Sequence, residues 1–114
     1  MAEAGGVHFI QSQEAWEAKL KEASAEGKMI ISNFTATWCR PCKSIAPHFH
    51  ALSLKHPDIV FLKIDVDQMP DLADEFDVQA MPTFVFTRNG NRIDRLVGAN
   101  LRDLERKVAG HAAS

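Results

Sequence analysis

The stretch that decides the fold runs from Phe34 to Lys43 and reads Phe-Thr-Ala-Thr-Trp-Cys-Arg-Pro-Cys-Lys. It holds both cysteines of the chain, Cys39 and Cys42, separated by two residues. The apolar run before it is typical of a buried strand, and the apolar residues after it recur at the spacing of a helix face. The first cysteine therefore lies at a helix N-terminus, where free N–H groups and the helix dipole favour a thiolate. We predict that Cys39 is a nucleophile and that Cys42, one turn later, closes a reversible disulfide with it.

Length and composition indicate one small globular domain. The chain has 114 residues, of which 46% are hydrophobic and 25% charged, and its formal net charge is −2. These values are ordinary for a globular domain of this size. We expect a flexible tail over residues 1–6 and a single domain over residues 7–114. The charge offers no broad basic surface for nucleic acid, and no apolar run approaches the roughly 18 residues that cross a membrane.

Cysteine usage and the N-terminal residues favour the cytoplasm. One closely spaced cysteine pair, with no other cysteine, suits a reducing compartment better than a disulfide-rich secreted protein. The first four residues carry neither the positive charge nor the apolar core of a secretory signal. Ala2 takes the place of the glycine that N-myristoylation requires. We therefore expect a cytoplasmic protein, and a monomer.

The hydrophobic pattern predicts alternating strands and helices in the order β-α-β-α-β-α-β-β-α. Ser12 and Asn100 are the predicted N-caps of the first and last helices, and Gly27 and Gly110 their predicted ends. The predicted strands cover residues 7–10, 28–35, 59–66, 83–86 and 92–97, and the predicted helices cover residues 13–26, 40–55, 68–76 and 101–109.

The order of these elements predicts an α/β sheet with helices on both faces. Strands joined through helices are expected to pair in parallel, and the final hairpin to add an antiparallel edge. Asn89-Gly90 between the last two strands is a strong signal for a type I′ turn. The charged side chains of the third helix and the isolated His111 are expected at the solvated surface.

Several motifs together resemble the thioredoxin family over about residues 7–108. Trp38-Cys39-x-Pro41-Cys42-Lys43 is similar to its active-site motif, and Met81-Pro82-Thr83 to its cis-proline loop. Lys63 on a central strand, Pro47 inside the second helix and Gly98 after the hairpin also fit the pattern. The sequences Ala36-Thr37-Trp38-Cys39 and Gly5-Gly6-Val7-His8 are most similar to the plant h-type branch.

This resemblance implies a central mixed five-stranded sheet flanked by four helices, and reduction of protein disulfides by dithiol exchange. It implies that Trp38 shields the thiol, that the Met81–Pro82 bond is cis, and that the Met81 backbone and Gly98 contact an extended peptide. Neither a bound cofactor nor a metal is implied. Electrons would come indirectly from NADPH through thioredoxin reductase, or from glutathione and glutaredoxin; the sequence leaves both open.

Two residues depart from the family pattern. Arg40 replaces the usual glycine between the cysteines, and Asn33 replaces a buried aspartate. The family role of that aspartate is proton transfer with the resolving cysteine, and an amide cannot titrate. Lys63, which lies near the aspartate in the family, is therefore expected either to extend into solvent or to have a lowered pKa. Water-mediated proton transfer is the simple alternative at this position.

Other functions remain open from the sequence alone. The pair Cys39-x-x-Cys42 followed by His48 and His50 offers zinc-type ligands, but the two histidines point about 200° apart on a helix and cannot both face the cysteines. Two such domains sharing an iron–sulfur cluster would form a non-enzymatic metal module. A chaperone-like domain would use Trp38, Met81 and Gly98 as a peptide-docking surface.

Overall fold

The computed structural model describes residues 6–113, so that all but one residue of the predicted N-terminal tail lies outside the described residues. A five-stranded mixed sheet has four helices packed on its two faces. Within the described part of the chain, no helix is long and apolar enough to cross a membrane. In chain order, the elements are β1 (Val7–Ile10), α1 (Gln13–Glu26), β2 (Met29–Thr35), α2 (Arg40–Lys55), β3 (Val60–Asp65), α3 (Pro70–Glu75), β4 (Thr83–Arg88), β5 (Asn91–Val97) and α4 (Leu101–Ala112).

The strands lie in the order β1-β3-β2-β4-β5, which places β2 at the centre. β1 and β2 pair in parallel with β3, whereas β4 is antiparallel to β2 and to β5. The expectation of parallel pairing is therefore wrong for β4. Thr83, the first residue of β4, pairs with Phe34 near the end of β2, and Ile64 near the end of β3 pairs with the same residue. β4 thus begins at the edge where β3 ends, and it runs the opposite way.

Alternation along β2 divides the core between the two sheet faces. Ile30 and Phe34 pack against α1 and α3, in a cluster that includes Trp16 and Leu72. Met29 and Ile31 face the other way, toward the apolar sides of α2 and α4, in a cluster that includes Phe49. Asn33 lies in register with this second set, so it points to the side of the sheet that α2 covers.

The predicted capping residues of the first helix are confirmed. The Ser12 side chain accepts a 3.0 Å hydrogen bond from the Ala15 amide, and Gly27 ends α1 in the left-handed conformation with φ 68°. The hairpin between β4 and β5 turns at Asn89 and Gly90, which both have positive φ, as a type I′ turn requires.

The predicted end of α4 is wrong. Gly110 lies inside the helix, which continues to Ala112. Beyond the glycine, the His111 ring lies 2.8 Å from the Asp94 carboxylate and packs on Phe86. These contacts outweigh the roughly 1 kcal/mol by which glycine weakens a helix. The expectation that His111 is a solvated surface residue is also wrong, because it is partly buried against β5 and β4.

Candidate active site

Cys39 is the N-cap of α2, at the edge of the sheet where β2 ends. Its Sγ accepts a hydrogen bond from the Cys42 amide at 3.2 Å. The residue has extended backbone angles, which an N-cap requires. A negative charge on this sulfur would therefore meet a backbone N–H group and the positive end of the helix dipole. The geometry stabilises a thiolate at Cys39, as the position of the motif predicts.

Cys42 lies one turn into the helix and is bonded to Cys39 in the structure, with 5.3 Å between the two Cα atoms. That separation lies within the normal range for a disulfide. Both residues are nearly buried, and Cys42 is the less exposed at 2% against 5% for Cys39. Pro41 occupies the first turn, where a missing N–H group leaves no helical hydrogen bond unmade.

Two loops from distant parts of the sequence meet beside Cys39. Met81 and Pro82 precede β4, and the peptide bond between them is cis. The Met81 carbonyl oxygen lies 3.6 Å from the Cys39 sulfur. The Gly98 amide donates a 2.8 Å hydrogen bond to the Pro82 carbonyl, and Gly98 itself has φ 104°, a value that favours glycine. The structure thus brings Met81 and Gly98 together at one surface, beside the nearly buried Cys39 and Pro82.

Trp38 lies at the rim of this surface and is 66% exposed. Its indole Nε1 donates a 2.9 Å hydrogen bond to Oδ2 of Asp67. Asp67 belongs to the turn after β3, where its own amide is bound by the Asp65 carboxylate at 2.8 Å. Asp67 is a residue that the sequence reasoning missed. Its only signal is a position just beyond a strand that ends at the same edge of the sheet as β2.

Arg40 is the first residue of α2 and is exposed. Within residues 6–113, its guanidinium makes no hydrogen bond or ion pair. Arg40 directly follows Cys39, and no acidic side chain within those residues pairs with its charge. A positive charge at this position would stabilise a Cys39 thiolate further, in addition to the helix N-terminus, although solvent ions screen part of the interaction.

A cavity of about 630 Å³ lies on the other side of the disulfide, between α2 and the strands β1, β2 and β3. Cys42, Asn33 and Lys63 all line it. Asn33 is 3% exposed, and its Oδ1 atom is buried without a hydrogen-bond partner. The sequence-predicted group around the second cysteine is therefore brought together, in a space that is open to solvent.

Of the two alternatives for Lys63, the structure supports extension into solvent. Lys63 is directly opposite Asn33 in the β2–β3 register, yet the residue is exposed. Its Nζ lies 5.4 Å from the centre of the Phe9 ring, which is itself 44% exposed. The methylene stem follows the sheet while the ammonium group reaches water and an aromatic face.

A sequence profile of the family described as Thioredoxin matches residues 7–109. The chain belongs to the thioredoxin family. Its curated relatives include a thioredoxin H-type of Picea mariana, 52% identical over all of this chain and 90% of the relative. Thioredoxin H9 of Arabidopsis thaliana is 49% identical over 91% of this chain and 74% of the relative.

Solved structures confirm the thioredoxin fold. A poplar wild-type thioredoxin h, PtTrxh4, superposes with a TM-score of 0.93 at 45% identity, covering 96% of this chain and 99% of that one. Thioredoxin NaTrxh from Nicotiana alata gives a TM-score of 0.89 at 40% identity, covering 97% and 96% of the two chains. The predicted architecture and the h-type resemblance are confirmed.

Family membership and the paired cysteines make the protein a protein-disulfide oxidoreductase that works by dithiol–disulfide exchange. Its site holds residues that the sequence reasoning did not single out. The sequence pattern offers His50 only as a metal ligand, but in the structure it lines the cavity with Cys42, whereas His48 does not. Asp65 lines the same cavity. In the sequence, helical spacing relates His50 to Cys42, and strand alternation relates Asp65 to Lys63. Neither relation indicates a shared cavity until α2 is packed over the sheet.

Proposed function

We propose that Cys39 is the attacking nucleophile and Cys42 the resolving thiol in the reduction of protein disulfides. The observation that carries the assignment is the N-cap position of the Cys39 sulfur, which accepts the Cys42 amide hydrogen. The sulfur that receives this hydrogen bond and the helix dipole is the one that is stabilised as a thiolate. Cys42 lies deeper and faces the cavity, a position suited to the second, intramolecular step.

The exchange proceeds in two steps that conserve electrons. The Cys39 thiolate attacks one sulfur of the target disulfide, forming a mixed disulfide and releasing one target thiolate. Cys42 loses its proton and attacks the Cys39 sulfur, which breaks the mixed disulfide and releases the second target thiolate. The two released thiolates take up protons, the target gains two electrons, and the Cys39–Cys42 disulfide remains.

The surface of Trp38, Met81, Pro82 and Gly98 is proposed to dock the target. A proline at position 82 leaves no N–H group of its own beside the sulfur, so the Met81 backbone offers its hydrogen-bonding groups to an extended chain. The neighbouring Val97 side chain is 53% exposed and extends this surface with apolar area. Arg40 at the rim is proposed to favour acidic targets, because its charge has no protein partner within residues 6–113.

The electron supply is proposed by analogy with the family. Thioredoxin reductase with NADPH is the first candidate, and glutathione with glutaredoxin is the second. We further propose that the protein works in the cytoplasm as a monomer, with residues 7–114 folding as one domain. The two supplies are distinguished by measuring NADPH oxidation in the presence of either purified system. A single unfolding transition would support the single domain, and a monomeric mass in solution would support the monomeric state.

An insulin-reduction assay tests the function. The native protein with a dithiol reductant is expected to precipitate the insulin B chain faster than the reductant alone, and Cys39→Ser is expected to lose that effect. The native protein would also stay colourless, whereas a shared iron–sulfur cluster would give it visible absorption. Insulin reduction by Cys39→Ser at the native rate would overturn the assigned nucleophile.

A further inference from the structure

The cavity beneath Cys42 raises the question of where the proton of the resolving thiol goes. Asn33 forms part of its wall and is almost fully buried, with an unpartnered Oδ1. An amide side chain neither gains nor loses a proton in the neutral pH range, although its oxygen can accept a hydrogen bond from water. The cavity, of about 630 Å³ and open to solvent, has a mostly apolar lining with Asn33, Thr35 and Thr37 among its polar members, and it is large enough for several water molecules. The floor of the cavity can therefore orient water, but it cannot itself take the proton.

Four other residues lining the cavity carry a charge or can titrate: Lys43 and His50 on α2, and Lys63 and Asp65 on β3. β1 contributes only Val7 and Phe9, and β2 contributes only uncharged side chains. A lysine ammonium has no acceptor site. The Asp65 Oδ1 accepts hydrogen bonds from the amides of Asp67 and Gln68, at 2.8 and 3.3 Å, and a carboxylate is in general a weaker base than an imidazole. His50 is the remaining group.

His50 has the position and the chemistry of a proton acceptor. Histidine changes protonation between about pH 5 and 8, so a neutral imidazole can take a proton and return it. Within residues 6–113, the His50 ring makes no hydrogen bond or ion pair. It lies eight residues after Cys42 on the same helix, about 12 Å along the axis. Helical side chains lean toward the N-terminus, and the imidazole is longer than the Cys42 side chain, so it reaches further along the cavity in that direction.

We propose that His50 is the proton-relay residue of the resolving step, connected to Cys42 through water in the cavity; this rests on the proposed roles of Cys39 and Cys42. As Cys42 attacks the mixed disulfide, its proton passes to cavity water and the last water gives a proton to the His50 imidazole. The Cys39–Cys42 bond forms, the bond from Cys39 to the target breaks, and the target leaves as a thiolate. When an external dithiol later reduces the disulfide, the imidazolium returns the proton to the departing Cys42 thiolate.

The test separates the two steps with a symmetrical chromogenic aryl disulfide, dithiobis-nitrobenzoate. Attack by Cys39 releases one coloured thiolate at a rate proportional to reagent concentration, and attack by Cys42 releases the second at a rate independent of it. In His50→Gln, the first phase should keep its native rate. The second should slow about a hundredfold near pH 7.5, the low end of what a positioned acid–base group contributes. The matched control is His48→Gln, which removes a neighbouring histidine that does not line the cavity.

The pH profile distinguishes a relay from a structural effect. The deficit of His50→Gln should shrink on acidification, because a protonated imidazole cannot accept a proton, and shrink again above about pH 9, where hydroxide replaces it. Free imidazole should accelerate the second phase of His50→Ala more than that of His48→Ala. A second phase that is the same in native, His50→Gln and His48→Gln proteins overturns the relay. Absence of any second phase in the native protein overturns the proposed function, and with it the relay.

Discussion

The indole nitrogen of Trp38 is held by the Asp67 carboxylate at 2.9 Å, across 29 positions of the sequence. The turn that carries Asp67 is itself fixed, because Oδ1 of Asp65 accepts a 2.8 Å hydrogen bond from the Asp67 amide. A ring that is 66% exposed would otherwise sample several rotamers. The hydrogen bond instead keeps it beside Cys39, so one edge of the proposed docking surface depends on the turn after β3.

Removing the acceptor should therefore weaken target docking. Asp67→Ala is expected to slow insulin reduction by about fivefold, since a hydrogen bond contributes about 1 kcal/mol, and to change the fluorescence of Trp38. Asp67→Asn retains an acceptor oxygen and serves as the matched control. Native rates of insulin reduction for Asp67→Ala would show that the orientation of Trp38 has no part in docking.

Substituting the resolving cysteine should trap the reaction half-way. Cys42→Ser leaves the N-cap sulfur and its helix terminus in place but removes the thiol that breaks the mixed disulfide. A covalent adduct with a disulfide substrate should accumulate, with one equivalent of substrate thiol released, and intact-mass measurement checks this. Cys39→Ser is the control and should form no adduct. Full multiple turnover by Cys42→Ser contradicts the assigned roles.

Restoring a carboxyl at position 33 should change the pH dependence of both activity and stability. Asn33→Asp is expected to speed turnover above neutral pH and to add a titration to the pH–rate profile, because it places a proton acceptor beside Cys42. Measuring that profile for the native and variant proteins checks the expectation. Identical profiles would show that position 33 is structural only.

The stability of Asn33→Asp should fall as the pH rises. Position 33 is 3% exposed, and burial disfavours the charged form, so the folded-state pKa of the new carboxyl is raised. The variant is then least destabilised below about pH 4, where the carboxyl is protonated in both states. It loses stability as the pH rises through the folded-state pKa, by about 1–3 kcal/mol. Denaturant unfolding across this range measures the loss, and Asn33→Ala should show a defect that does not change with pH.

Arg40 should tune the redox potential through its charge. A guanidinium about 7 Å from the Cys39 sulfur, at an effective dielectric near 40, contributes about 1 kcal/mol to the thiolate. Arg40→Gly should raise the pKa of Cys39 by under about one unit. It should also lower the redox potential by at most about 25 mV, because the reduced form loses stabilisation. Both are measured at low salt, with Arg40→Lys as the charge-preserving control. An unchanged pKa and potential would leave Arg40 as a docking residue at most.

Asp94 should make the fold sensitive to acid. Burial by itself would raise the pKa of Asp94. However, hydrogen bonds from His111, Lys107 and the Arg95 amide, together with the charge of Lys107, lower the pKa below its ordinary value. A lowered folded-state pKa adds stability above the unfolded value, near pH 4, and that stability is lost as the pH falls through the folded-state pKa.

Asp94→Asn is therefore expected to lower the free energy of unfolding by about 1 kcal/mol at neutral pH, with the difference from the native protein shrinking toward about pH 2–3. Denaturant unfolding at several pH values provides the measurement. Glu105→Gln, an exposed substitution on α4, is the control. A difference that stays constant with pH would show that the contact is not electrostatic.

The sequence by itself determined the local features, because their causes are local. A cysteine followed by Arg-Pro-Cys at a strand-to-helix junction becomes an N-cap whose sulfur meets the Cys42 amide, whatever surrounds it. Ser12, Gly27 and the Asn89-Gly90 turn likewise follow from backbone preferences of single residues. The strand and helix order followed from hydrophobic periodicity.

Tertiary structure decided what depends on packing between distant segments. The start of β4 at the edge where β3 ends gives that strand its direction, and anchoring of His111 on Asp94 carried α4 past Gly110. The contact of Met81 with Cys39 spans 42 positions, and no pattern within one segment could fix its distance. The cavity that joins Asn33 to His50 exists only once α2 lies across three strands. Helical and strand spacing assign a side chain to a face, but only the packing of one face against another decides which groups meet.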